Sequence, residues 1–126
     1  MTGPATPATP AELAGQAAEA VRALNHATLP GAGGLEYPAD AYEVTGQLSV
    51  LAARLPQALA QLLAFLADQA SAGAITVVAG QHAGDPAAML AAVTADLDAA
   101  AASARRLHQA LDAGQNHLTW AAATER

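Results

Sequence analysis

From Leu90 onward, small or apolar residues recur at alternating steps of three and four: Leu90, Val93, Leu97, Ala100, Ala104, Leu107, Leu111, Gly114, Leu118 and Ala121. That spacing keeps one seam of a helix turned toward a partner over about four heptads. Asp85 stands where an N-cap belongs, and Pro86 follows at the first helical position, where a missing N–H does no harm. A helix of about 35 residues is roughly 50 Å long. It is too long to decorate another core, so the remaining chain must pack along it. Its middle, Ala99 to Ala102 with Ala104, is almost featureless all round. Small side chains let helix axes approach at the short end of the usual range, and a helix bland on every side is either buried on more than one face or exposed as plain surface. The first reading implies a partner beyond the chain's own helices.

The 126 residues suffice for one domain. Hydrophobic residues make up 53%, but alanine inflates that figure and aromatic residues reach only 3%, so the core should be alanine and leucine with few large anchors. Cysteine is absent, which removes disulfides and thiolate metal sites; lysine is absent too, which removes Schiff-base and P-loop lysine chemistry. A net charge of −6 argues against nucleic acid and anionic membrane surfaces, and the adjacent pair Arg105 and Arg106 is too little to track phosphates. No signal peptide is visible. The most apolar region, Val44 to Leu66, is interrupted by Arg54, Pro56, Gln57 and Gln61, so no membrane span is expected and a cytoplasmic protein is the default.

Residues 1–8, rich in Pro, Ala and Thr, are expected to form a disordered tail ahead of one helical domain over residues 9–122. Thr9-Pro10-Ala11-Glu12 fits a capping box and opens a first helix over about 10–27, with Leu13, Ala17, Val21 and Leu24 on one face. A second helix is expected over about 39–71. Its apolar positions Val44, Leu48, Leu51, Leu55, Leu59, Leu62 and Leu66 carry a doubled step of four beside Pro56, which predicts a kink there. The third helix is expected over about 86–121. Between them, Ile75 to Val78 are β-branched but have no evident strand to pair with, so residues 74–84 are read as an extended connector.

Between the first two helices lies the most distinctive stretch, Asn25 to Tyr42, which holds three glycines, two prolines and both tyrosines. Its segments Asn25-His26, Thr28-Leu29-Pro30-Gly31, Gly33 to Asp40 and Tyr42-Glu43-Val44 resemble a group of short actinobacterial helical proteins. The resemblance continues more weakly from Leu55-Pro56-Gln57 to Leu66. That group has no assigned activity, so the resemblance implies helical character and nothing about chemistry.

Candidate sites are few. His108 and Asp112 are four apart and share a helix face, but a helical metal site needs at least three ligands and no HExxH or paired ExxH motif occurs. A solvated polar face is the simpler reading. His117 and Trp120, three apart near the helix end, suit packing or a partner contact. The glycines of Gly31 to Gly34 follow a helix and no Rossmann unit surrounds them, which points to turn chemistry and not phosphate binding. Asn25, His26, Glu36, Tyr37 and Asp40 could form an acid/base pocket if their loop folded back over the helices. The simpler alternative is that Tyr37 and Tyr42 anchor the loop while Asp40 and Glu43 complement the start of the second helix.

The sequence thus predicts an all-α, three-helix up-down bundle: a long antiparallel pair of helices two and three, with a short N-terminal helix covering one end. It predicts no catalytic, cofactor-binding or metal-binding residues. The expected function is a non-enzymatic protein–protein interaction or assembly module that self-associates as a homodimer or larger species, with an unknown protein as the other possible partner. Ala100, Ala104, Leu107, Leu111, Tyr37, Tyr42 and Trp120 are the candidate partner-binding residues. Two alternatives stay open. A WXG100-like secreted helical hairpin matches the size and alanine content but not the turn, which lacks Trp-x-Gly. A small-ligand-binding bundle would use the loop 25–43.

Overall fold

In the computed structural model, which describes residues 6–124, three helices follow in order: α1 (Pro10–Ala27), α2 (Pro38–Ser71) and α3 (Pro86–His117). The first five residues of the expected tail lie outside the described range. Each helix starts where local chemistry dictates. Thr9 Oγ1 accepts from Glu12 N–H at 3.1 Å, and the Glu12 carboxylate returns toward the Thr9 hydroxyl at 3.2 Å. Asp85 Oδ1 accepts from Ala88 N–H at 3.0 Å. Pro10, Pro38 and Pro86 each occupy the first helical turn, where no intrahelical donor is lost. α2 closes on Gly73, whose φ of 68° permits the bond from Ala74 N–H to the Gln69 carbonyl. α3 stops at His117, short of the expected residue 121, and Leu118 to Trp120 form a turn.

α2 and α3 make a long antiparallel hairpin, about 50 Å by the rise of a helix. Residues 74–78 carry no regular structure and, among the described residues, no strand forms. Ile75 and Val77 turn inward while Val78 is almost wholly exposed, and Gly84 N–H closes the connector on the Val77 carbonyl at 2.9 Å.

The line along which the hairpin zips differs from the one expected. On α2 the inward positions are Thr45, Ser49, Ala52, Pro56, Leu59, Leu63, Leu66 and Ala70, an unbroken alternation of four and three. Leu51, Leu55 and Leu62 belong instead to a second line, Val44, Leu48, Leu51, Leu55, Ala58, Leu62 and Phe65, displaced by one residue and so about 100° round the helix. The doubled step of four was therefore two seams read as one. Pro56 sits on the inner line and the helix runs on through it. On α3 the inner line passes through Leu97, Ala101, Ala104, His108, Leu111 and Gln115, so Ala100 and Leu107 face outward. The observed line keeps Leu97, Ala104 and Leu111 of the expected seam and takes Ala101, His108 and Gln115 in place of Ala100, Leu107 and Gly114, because the face with buried Ala101 and Ala104 allows the closest approach of the two backbones.

Small residues meet at the centre. Ser49, Ala52, Ala101 and Ala104 are the buried positions among those described, and no large side chain is fully buried. The helices gain close backbone approach there, with little apolar area removed from water.

α1 does not join this core. Among the described residues its Cα atoms stay more than 8 Å from every Cα of α2 and α3. Val21 and Leu24 instead form one wall of an apolar groove of about 390 Å³, whose other wall is Val44, Leu48 and Leu51 of α2. By length and composition alone, α2 and α3 are each apolar enough to cross a membrane.

Candidate functional site

Three polar side chains converge on the α2–α3 seam. Ser49 is only 2% exposed. Its hydroxyl donates to Asp112 Oδ1, in a short bond, and lies 2.8 Å from His108 Nδ1. The same ring nitrogen is 3.0 Å from the Ser49 carbonyl oxygen, which can only accept, so Nδ1 carries the proton. His108 Nε2 faces Asp112 Oδ2 at 3.4 Å, an ion pair when the ring is protonated. His108 and Asp112 thus form more than a solvated face: one edge of the pair is tied across the helices to Ser49. About two turns along α3 from His108, Gln115 Nε2 donates to the Tyr42 carbonyl at 3.3 Å, over Gly46. A Cβ at Gly46 would come within 2.3 Å of that amide nitrogen.

A serine, a histidine and an aspartate in one cluster invite comparison with a hydrolytic triad. The connectivity is different. In a triad the histidine stands between the serine and the acid, and the serine oxygen is open to an approaching carbonyl. Here Ser49 bonds to both other members and is shielded by the helices. Every buried side-chain nitrogen and oxygen among the described residues has a partner, which suits a lock on helix register. Glu43, Gly46 and Gln47 border the outer side of the cluster, in a shallow depression of about 610 Å³. No group of three or more potential metal ligands forms among the described residues.

The Asn25–Tyr42 loop does not fold back over the helices into a pocket with His26 and Tyr37. Gly31 and Gly33 take left-handed backbone at φ 82°, and Gly34 passes so close to the end of α1 that a Cβ would overlap the Ala27 carbonyl oxygen. Asp40 Oδ2 accepts from the Tyr37 N–H at 2.9 Å and the Glu36 N–H at 2.8 Å, so the acid caps the start of α2. These two bonds, Tyr37's the stronger influence, hold the Asp40 carboxyl below the usual carboxylate range.

Of the partner-binding candidates, Ala104 is buried within the α2–α3 seam and Leu111 is half-buried on the same side. Ala100, Leu107, Tyr37, Tyr42 and Trp120 are exposed, Trp120 to 93%. Tyr37, Tyr42 and Trp120 belong to the end of the hairpin where Gln115 meets the Tyr42 carbonyl, whereas Ala100 and Leu107 lie further along α3. The continuous apolar surface lies on the second line of α2. From Leu51 onward it is open to solvent, with Leu62 at 52% and Phe65 at 59% exposure. Ser49 lies one residue away from the positions the leucine pattern favours, whereas the outer line shares Val44, Leu48, Leu51, Leu55 and Leu62 with that pattern. Comparison with family models, with curated proteins and with solved structures returns no match.

Proposed function

We propose that this chain is a non-enzymatic helical interaction module that self-associates, acting in the cytoplasm. The observation that carries the reading is the amount and kind of surface left open. The chain exposes 9432 Å², whereas a compact monomer of 12.5 kDa exposes about 6,200 Å². The elongated hairpin contributes to that excess, but elongation alone does not place leucines and a phenylalanine along its outside. Leu62 and Phe65 forgo about half, and Leu51 and Leu55 a smaller part, of the roughly 1.5–3 kcal/mol that full burial of such a side chain supplies. A contiguous apolar stripe of this kind marks an interaction surface. The buried serine and the triad-like but differently wired cluster support the absence of nucleophilic catalysis.

The membrane is a second reading, favoured by the length and apolarity of α2 and α3. Against it, the apolar stretch of α3 carries Asp96 and Asp98 near its middle, and each such charge at a bilayer centre costs about 2.5–3.5 kcal/mol. The deciding experiment is the solution mass by light scattering after size exclusion, over a hundredfold concentration range and without detergent. The expected result is a soluble species of at least twice the chain mass. A concentration-independent monomer overturns self-association, and a chain recovered only with lipid or detergent moves the function to the bilayer.

A further inference from the structure

The outer line of α2 has a property that a single chain cannot use. Laid antiparallel on a second copy of itself, it falls into register: Leu48 comes opposite Phe65, Leu51 opposite Leu62, and Leu55 opposite Ala58, with the two-fold axis between Pro56 and Gln57. These are the alternating layers of an antiparallel heptad pair. The polar flank agrees. Arg54 comes beside Gln61 and Asp68 beside Gln47 of the second copy, so no like charges meet. In the same register, the exposed end of the line meets the concave end. Phe65 and Leu62 are exposed, whereas Leu48 and Leu51 line the α2 wall of the groove that α1 leaves by standing off.

Building on the self-association reading, we propose that two copies pair antiparallel through the outer line of α2, Phe65 and Leu62 of each entering the α1–α2 groove of the other. The groove's 390 Å³ is in the range of pockets that accept an apolar group, and Val21 and Leu24 supply its far wall. The contact is isologous and closes as a dimer, so it does not propagate into a filament.

The chain has no cysteine, so single-cysteine variants report cleanly. Spin labels at Gln57→Cys should lie close to their counterparts, while labels at Asp68→Cys should be separated by about 35 Å along the helix axis. Both Phe65→Glu and Leu62→Glu, at exposed positions that leave helicity unchanged by circular dichroism, should halve the mass to that of the 12.5 kDa chain. Leu107→Glu on the outside of α3 should leave the dimer intact. If the unaltered chain is monomeric, the self-association reading and this interface fall together. If it associates but Phe65→Glu and Leu62→Glu do not dissociate it, or if both labels give short distances, self-association stands and this interface is wrong.

Discussion

Single residues here act through the backbone more than through chemistry. Asp40 is the clearest case, since its carboxylate accepts from the N–H groups of Tyr37 and Glu36 at the mouth of α2. Because its folded pKa is lowered below the ordinary 3.8, the unfolded chain binds the proton more readily. The contribution to stability is therefore complete above pH 3.8 and is lost as the pH falls through the folded value. A carboxyl titration by NMR should give Asp40 a midpoint below 3.8, and Asp40→Asn should remove that part of the acid dependence; a midpoint at or above 3.8 contradicts the capping role. The turn residues Thr9, Asp85, Pro10 and Pro86 were legible in the sequence for the same reason, as caps need only neighbours within four residues. Ser49 was not, because its partners His108 and Asp112 are about sixty residues away in the chain.

At the scale of elements, the packing of α2 on α3 depends on side chains that are nearly absent. Ala52, Ala101 and Ala104 are buried with Ser49, and the two backbones approach over them. Enlarging one of these residues wedges the helices apart. Ala104→Leu should destabilise the hairpin by about 1–3 kcal/mol in urea unfolding, despite adding apolar volume. Ala100→Leu, one turn earlier on α3 and exposed, should be within about 0.5 kcal/mol of neutral. Equal effects at the two positions would return the seam to Ala100. Helix lengths were readable from periodicity and caps, but the choice between two apolar lines one residue apart was not. The leucines mark the more hydrophobic line, and the inner one was selected by fit to the alanines of α3.

The whole molecule is an open hairpin with an arm. α1 is tethered by a loop with two left-handed glycines and shares only a groove with α2. Two copies bring together a formal charge of −6 each, and that repulsion opposes association. Screening shortens to a Debye length of about 8 Å at 0.15 M salt and about 3 Å at 1 M. Association through apolar seams should consequently strengthen with added sodium chloride, measured as a falling dissociation constant by sedimentation. A constant that rises with salt would point to attraction between opposite charges as the driving force.

Sequence alone determined the all-α class, the three helices and nearly all of their ends, because propensity, proline position and capping act over a single turn. It determined as well that the core would be poor in large side chains, since alanine dominates the third helix. Only the tertiary structure decided which face of α2 meets α3, that Ser49, His108 and Asp112 join, and that α1 stands apart. Those outcomes rest on how closely two particular backbones can approach, a quantity set by both helices at once and by neither one's sequence.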